Sequence, residues 1–368
     1  MRSLAALCLC ACLAATAARA DDIVSLKYSR TELEAAWRTR IQSLLAKGKL
    51  PKIDMETSLG RDQAAEYLSA AFTAMDDLGV AMFAADGYQR PKDGSKGYRW
   101  SSYILDLVNR YPDRFVPTAN GGTNPNWTKQ KGDGRSFTAQ METAIRSGAY
   151  FHMGELEFRH YMSSSQCRNW RLDRDVTVPM DSANGRRIFA LSAETGVPFS
   201  AHLEPEDAAL DALEKMLGEF PKAKVIVAHL GQVRHPEAET RFTPAYVRKL
   251  LTTYPNLYYD LSTGGPSRHY KCAGPHNSDE IYSDTVLWEG SGNSQSDTVT
   301  ADWRAVLTDF SDRFVFASDY GGGRDALPGF LAERVANFNL IIRDLPDAAK
   351  RNIAYRNAWK LLTGRPWE

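Results

Sequence analysis

Eight short runs of β-branched and aromatic residues alternate with helical segments along most of this 368-residue chain. The runs cover residues 52–58, 80–85, 115–119, 149–158, 197–203, 224–230, 257–262 and 313–318. Strict alternation of strands with helices is typical of a parallel sheet with helices packed on its faces. Doubly wound sheets also alternate, but a count of eight favours a closed barrel. We therefore predict a single α/β domain, a (β/α)8 TIM-type barrel, over residues 51–368.

A helical segment is expected before the barrel, within residues 21–50. Ser29 and Glu32 have the spacing of a capping box, in which each side chain accepts a hydrogen bond from the other residue's backbone N–H. The helix that they open should run for about sixteen residues and end near Gly48, where a glycine suits the C-terminal turn.

The connections between strands and helices are unequal in length. Those entering strands are short, whereas three that leave strands are long, at residues 120–136, 159–184 and 264–300. In a barrel this added chain lies at the C-terminal face, where active sites are built. The sequence therefore predicts an active site formed by strand ends and these loops.

Residues 1–20 have the pattern of a cleavable export signal. Arg2 is followed by a short apolar run and by the small-x-small sequence Ala18-Arg19-Ala20. We expect cleavage after Ala20 and a periplasmic or secreted protein. Lipid attachment within the apolar run is the weaker alternative.

Export removes three of the five cysteines and leaves Cys167 and Cys272 in two of the long loops. Two cysteines in an oxidising compartment are candidates for a disulfide, which would join these loops. The alternative is two unrelated thiols.

Composition excludes several classes of partner. Lysines and arginines number 45 and acidic residues also 45, so there is no basic field that would attract nucleic acid. Hydrophobic residues make up 43% of the chain, as in ordinary globular proteins, and no apolar run after residue 20 is long enough for a membrane span. We expect a small-molecule substrate as partner and leave open a homo-oligomer.

Several predicted strands end in polar residues that could carry chemistry. The fifth strand ends at His202, the sixth at His229 and the eighth at Asp319. The fourth strand carries Glu155 and Glu157 on one face, and the first carries Asp54, Glu56 and Ser58 on one face. Imidazoles and carboxylates are typical zinc ligands, and an aspartate beside them can accept a proton from water. These strand ends therefore predict a metal site.

The sequence resembles the amidohydrolase superfamily over roughly residues 50–364, in the branch of decarboxylases, lactonases and hydrolases. The resemblance rests on Ile53-Asp54-x-x-x-x-Leu59, His202, Ala228-His229-Leu230-Gly231, Ala317-Ser318-Asp319 and Asn357-Ala358-x-x-Leu361. Members usually hold a metal through His-x-His at the end of the first strand, but Glu56 and Ser58 occupy those positions here. Some deacetylases of the superfamily also lack that pair and hold one metal through a glutamate and two histidines.

Three hypotheses follow from these residues. The first is a hydrolase with one divalent metal, Zn²⁺ before Mn²⁺ or Fe²⁺, held by Glu155, His202 and His229 with help from Glu56. Asp319 is then the general base, and His229 also serves catalysis. The second is a metal-independent lactonase or hydrolase with Asp319 as base. The third is a barrel that binds a ligand without catalysis.

Arginines near the barrel mouth suggest the substrate. Arg159, Arg234 and Arg268 follow the fourth, sixth and seventh strands, and guanidinium groups pair with carboxylate or phosphate. We predict that these three bind an anionic small molecule whose amide, ester or lactone bond is hydrolysed. Decarboxylation on the same barrel is the chief rival reaction.

Overall fold

Eight parallel strands form the barrel that the alternation of strands and helices predicts. The computed structural model describes residues 24–60, 65–88, 102–121, 127, 136–234, 240–266, 268–272, 278–283, 285–289, 297–321 and 328–368. The barrel strands are β1 Lys52–Gly60, β2 Val80–Tyr88, β3 Phe115–Ala119, β4 His152–His160, β5 Phe199–Leu203, β6 Val225–Val227, β7 Leu257–Asp260 and β8 Phe314–Val315. Neighbours in this order pair in parallel. The backbone N–H of Met55 donates to Phe316 O, and that of Ser58 to Tyr320 O, each at 3.0 Å. These bonds bring the last strand against the first, so the (β/α)8 prediction is confirmed.

Helices alternate with these strands and cover the outside of the barrel. They are α1 Arg30–Ala46, α2 Ala65–Leu78, α3 Tyr103–Arg110, α4 Phe137–Arg146, α5 Ser164–Arg168, α6 Ala183–Thr195, α7 Asp207–Glu219, α8 Pro244–Thr253, α9 Ala301–Asp309, α10 Pro328–Ile342, α11 Asp347–Arg351 and α12 Asn357–Thr363. A π-helical turn, Asn352–Arg356, joins the last two. Within the described part of the chain, no helix has the length and apolar character of a membrane span.

Helix α1 covers the N-terminal end of the barrel. Its capping box forms as the sequence predicts, with Ser29 Oγ accepting from Glu32 N and Glu32 Oε2 accepting from Ser29 N. Trp37 is fully buried, donates from Nε1 to Phe115 O at the start of β3, and packs edge-on against Phe151 just before β4. Helix α1 therefore leaves the opposite, C-terminal end of the barrel uncovered.

Two strands, β6 and β8, end at least three residues before the ends of the apolar runs that predict them. The sixth run extends to residue 230, but β6 ends at Val227 because the backbone of His229 turns left-handed, with φ of 57°. The eighth run extends to residue 318, but β8 ends at Val315 because the N–H of Phe316 donates to Ile353 O in the π-helical turn. Asn357 Nδ2 also donates to Phe314 O, which ties the C-terminal helices to this strand.

The long loops after β4 and β7 meet above the barrel. The first contains α5, a 3₁₀ turn at Leu172–Arg174 and the short strand Val176–Thr177. The second contains the antiparallel strands His269–Cys272 and Ser278–Ser283. The sulfurs of Cys167 and Cys272 lie at disulfide-bonding distance, with Cα atoms 5.5 Å apart. The predicted leader, residues 1–20, lies outside the described residues.

Candidate metal and active site

Side chains from the ends of three strands bring potential metal ligands together. Glu155 Oε1 lies 2.6 Å from His202 Nδ1 and 3.3 Å from His229 Nε2, and the two imidazole nitrogens lie 3.1 Å apart. Glu56 Oε1 lies 3.5 Å from His229 Nε2. The structure thus brings all four predicted ligands together. His229 belongs to two groups of side chains that could hold a metal, one with Glu155 and His202 and the other with Glu56 and Asp260.

The donor set suits a divalent cation. The distances of 3.1 and 3.3 Å from His229 Nε2 to the other two atoms are close to the separation of ligand atoms that share one zinc ion, whereas the 2.6 Å between Glu155 and His202 is a hydrogen bond. Glu56 Oε1 is buried and has no hydrogen-bond partner in the described structure, so its lone pairs are available to a cation. The residues present therefore fit the metal.

A proton lies between Glu155 and His202 when no cation is bound. Burial lowers the pKa of His202, but the Glu155 carboxylate outweighs burial and raises it to about 9. Burial raises the pKa of Glu155, but the charge of His202 and hydrogen bonds from both histidines hold it well below its usual range. Because metal ligands must be deprotonated, a cation must displace this proton.

The second ring nitrogen of His202 faces a buried ion pair. Its Nε2 lies 2.9 Å from Arg234 Nη2 and 3.5 Å from Glu204 Oε1. Arg234 donates to Glu204 from Nε at 2.6 Å and from its backbone N–H at 3.0 Å. Burial raises the pKa of Glu204, but Arg234 and His202 lower it to about 2. Because a guanidinium can only donate, Arg234 Nη2 donates to His202 Nε2, and the ring proton of His202 lies on Nδ1, beside Glu155. Glu204 is the anion that holds Arg234 in this position.

The hydroxyl of Ser262 connects His229 with two buried carboxyl groups. Ser262 Oγ lies 2.7 Å from His229 Nδ1, 2.8 Å from Glu56 Oε2 and 2.6 Å from Asp260 Oδ1. A hydroxyl donates one hydrogen bond and accepts two. Asp260 Oδ1 also accepts from the backbone N–H groups of His229 and Ser262. Because this oxygen is an acceptor, the Ser262 hydroxyl donates its one hydrogen bond to it.

This arrangement places a proton on Glu56. If Ser262 donates to Asp260, it must accept from both His229 Nδ1–H and a protonated Glu56. Burial and the charges of Glu155, Asp260 and Asp319 raise the pKa of Glu56 well above its ordinary value, in agreement with this count. Glu56 therefore stands beside the other three ligands as a neutral acid, and it would have to lose this proton to bind a metal directly.

A buried carboxyl group beneath the site makes stability depend on pH. Asp54 Oδ1 accepts from Ser318 N and Glu56 N, while Oδ2 has no partner in the described structure. Burial is the largest effect and raises the pKa of Asp54 to about 8. The folded protein therefore keeps a proton that the unfolded chain loses above pH 3.8, so stability falls as pH rises from about 4 to 8.

We expect Asp54→Asn to relieve this cost. The variant keeps the Oδ1 acceptor and removes the ionisation, so urea unfolding should show a gain of up to about 4 kcal/mol at pH 7. The gain should shrink as the pH is lowered to 4. An equal difference between variant and wild type at both pH values would contradict this account.

Asp319 lies at the rim of the same cavity. Its backbone is left-handed with φ of 52°, as is that of His229 with φ of 57°, and this conformation is uncommon for residues other than glycine. The Asp319 side chain is 50% exposed, and its Oδ2 lies 3.7 Å from Arg334 Nη2. Residues that adopt such a costly backbone conformation are often found at functional sites, and here two of them follow the ends of barrel strands.

The cavity has a volume of about 310 Å³ and is mostly polar. Glu155, His202 and His229, which we call the triad, line it together with Glu56 and Asp319. The predicted substrate-binding residues Arg234 and Arg268 also line it. Arg159 is not among its lining residues. Its guanidinium instead binds Asp175 and Glu206, each at 2.6 Å, and lies over the ring of Tyr161.

Several residues of the site were not predicted from the sequence. Glu204 and Ser262 act through their partners, and only their positions one and two residues beyond the ends of β5 and β7 could have drawn attention to them. Asp86, Arg174 and Arg334 also line the cavity, and Asp86 follows the same pattern of an acid near a strand end. Arg174 and Arg334 lie far along loops and helices, where no spacing distinguishes them.

Comparison with protein families decides the classification. The family model described as amidohydrolase matches residues 102–363, which is most of the chain. This chain belongs to the amidohydrolase family. This is the family that the strand-end motifs of the sequence resemble.

Several solved structures are similar to this amidohydrolase at low sequence identity. One is a Staphylococcus aureus protein assigned as an amidohydrolase, 13% identical over 85% of this chain and 99% of that one, with a TM-score of 0.49. Another, from Acinetobacter baumannii, is assigned as a 2-pyrone-4,6-dicarboxylic acid hydrolase and has citric acid bound. It is 11% identical over 85% and 99% of the two chains, with a TM-score of 0.48. A Rhizobium 2,6-dihydroxybenzoate decarboxylase is 12% identical over 85% and 98%, with a TM-score of 0.44. No curated protein matches the sequence significantly.

Proposed function

We propose that this amidohydrolase is a metal-dependent hydrolase that cleaves an amide, ester or lactone bond in a small anionic molecule. The observation that carries the proposal is the convergence of Glu155, His202 and His229 from three strands, with ligand atoms 2.6–3.3 Å apart. Two imidazoles and a carboxylate favour Zn²⁺. When bound, such a cation supplies Lewis acidity that polarises a carbonyl and makes water more acidic.

The protein's own groups supply the proton transfers. Asp319 lines the cavity as a carboxylate with Arg334 beside it, and we assign it the role of accepting a proton from the attacking water. The neutral Glu56 carries a proton at Oε2 on the same cavity wall. His229 is held by Ser262 through Nδ1, so its Nε2 stays directed at the Glu155 oxygen and the His202 nitrogen.

Arginines favour an anionic substrate. Arg174, Arg234, Arg268 and Arg334 all line the cavity. Guanidinium groups recognise carboxylates through two parallel hydrogen bonds, and in a largely buried cavity such contacts are stronger than in water.

The test combines metal removal with loss of the base. A panel of p-nitrophenyl esters, N-acyl amino acids and lactones identifies a hydrolysed probe, and chelation should abolish its turnover until Zn²⁺ is restored. We expect Asp319→Asn to keep one metal per chain and to lose about 10²–10⁴-fold in kcat. Asp312→Asn, an exposed aspartate in the 3₁₀ turn before β8, is the matched control and should retain full activity.

Two results would refute this mechanism. Turnover that survives chelation would favour the metal-independent reaction, with Asp319 still required. Release of CO2 from carboxylic acids without hydrolysis of any panel member would establish decarboxylation instead.

A further inference from the structure

Two segments of the long loops form a unit above the cavity, which we call the cap: residues 163–174 and 268–272. Cys167 in the first and Cys272 in the second are linked, and both are 1% exposed. The two cysteines pack with Tyr270 and with Met162, the residue just before the first segment, in a small apolar cluster that is separate from the main core. The cap therefore has a core of its own.

Hydrogen bonds reinforce the junction between the two segments. Tyr270 Oη donates to Met162 O at 2.9 Å, and the backbone N–H of Lys271 donates to Ser164 Oγ at 3.2 Å. The first segment is closed by a capping box between Ser163 and Gln166. The disulfide thus joins two ordered pieces of backbone, and such a bond persists in the oxidising compartment that the expected export implies.

The cap is anchored on the barrel beside the triad. Arg174 pairs with Glu157 of β4 through both terminal nitrogens, and its carbonyl oxygen lies 2.6 Å from His160 Nδ1. The His160 ring packs against that of His202, with centroids 4.5 Å apart. The position of the cap is therefore linked through direct contacts to the surroundings of a metal ligand.

Charge is divided between the cap and the barrel ends. The cap contributes Ser163, Gln166, Arg174 and Arg268 to the cavity lining and no carboxylate. The barrel ends contribute the acids Glu56, Asp86, Glu155 and Glu157, and Asp319 follows β8. A substrate anion would be repelled by Glu155, whose ionised form the two histidines favour, and Arg234 is bound to the buried Glu204.

We propose that the cap is the anion-recognition wall of the cavity: Arg268, held in place by the Cys167–Cys272 bridge, binds a substrate carboxylate remote from the bond that is cleaved. This inference rests on the proposed hydrolytic function and names the part of the site that selects its substrate. It assigns metal binding and bond cleavage to the strand ends, and selection of the anion to the cap.

Gly264 provides a second way to displace Arg268. The arginine side chain runs across the glycine so closely that a Cβ at position 264 would lie 2.3 Å from Arg268 Cδ. Gly264→Ala must therefore move the guanidinium without removing its charge, and it alters neither the disulfide nor a metal ligand.

The test measures binding of succinate, a simple dicarboxylate probe, to the Zn²⁺-loaded protein by titration calorimetry. We expect Arg268→Ala and Gly264→Ala to weaken succinate binding about ten-fold or more, as for a lost hydrogen bond to a charged group. Cys167→Ser/Cys272→Ser should weaken it similarly while keeping one Zn²⁺ per chain. Hydrogen exchange should rise in residues 163–174 and 268–272 but not in the barrel strands. Arg171→Ala is the matched control, because Arg171 lies in the cap, pairs with Asp173 and does not line the cavity.

Several outcomes would overturn the proposal: no succinate binding by the wild type, wild-type affinity in Arg268→Ala, or equal weakening in Arg171→Ala. Calorimetry needs no turnover, so the two proposals fail separately. Cap-dependent succinate binding by a protein that hydrolyses no probe would uphold the cap and refute the hydrolase. Turnover together with succinate binding that is unaffected by Arg268→Ala would uphold the hydrolase and refute the cap. If the cysteine variant fails to fold, the Arg268 and Gly264 variants still test whether the cap binds succinate.

Discussion

Replacement of His202 by alanine is expected to leave the purified protein without bound metal and without detectable turnover. His202 Nδ1 is within 3.1 Å of both other triad atoms, so its loss leaves Glu155 and His229, while the neighbouring Glu56 holds a proton that it would have to lose before binding a cation. Two ligands are too few for a tetrahedral zinc site, which takes at least three from the protein. Elemental analysis of wild type and variant, prepared in parallel with added Zn²⁺, measures the effect directly.

The matched control is His269→Ala. His269 is exposed on the short strand after β7, away from the predicted ligands, and should keep its metal when replaced. Equal metal content in His202→Ala and wild type would eliminate the triad as the binding site. Absence of metal from the wild type after Zn²⁺ and Mn²⁺ have been offered would refute the metal-dependent function itself.

Replacement of Arg234 by methionine is expected to destabilise the metal-free protein by about 3–5 kcal/mol, since it leaves the Glu204 carboxylate buried without its partner. Glu204 is 2% exposed and accepts from Arg234 Nε at Oε1, a bond that the variant loses, whereas the bond from the backbone N–H of residue 234 to Oε2 remains. The measurement is urea unfolding at pH 7. The double variant Arg234→Met/Glu204→Gln should recover much of the loss because no charge remains to be buried.

The pH dependence gives this prediction a separate check. The pKa of Glu204 is lowered from 4.5 to about 2 in the folded protein, so the pair's contribution is complete above pH 4.5 and is lost as the pH falls towards 2. The deficit of Arg234→Met should therefore shrink over that range. A deficit below about 1 kcal/mol at pH 7, or one that does not change with pH, would show that solvent already compensates the carboxylate.

The barrel could be predicted because its signals are local. Each strand is an apolar run bounded by turn residues, and a parallel arrangement then places all C-terminal ends on one face. For the same reason His202 and His229 could be expected to meet, although 27 residues separate them. The capping box of α1 also depends only on neighbouring residues, and it forms as predicted.

The partners of these residues could not be predicted in the same way. Whether Arg159 faces the cavity or the carboxylates of Asp175 and Glu206 depends on how a long loop folds back. The protonation of Glu56 depends on counting hydrogen bonds at Ser262, a residue 206 positions away. Such contacts arise from tertiary packing, and neither the period nor the spacing of the sequence contains them.

The cysteine pair also determines the covalent topology of the chain. The bridge spans 105 residues and encloses β5, β6 and β7, and with them both histidines of the triad. A protease that cuts any one peptide bond inside this ring cannot release a fragment, because the bridge still connects the part that carries Glu155 to the part that carries Asp319. A nicked molecule of this design therefore keeps Glu155, both histidines and Asp319 in one covalently connected molecule.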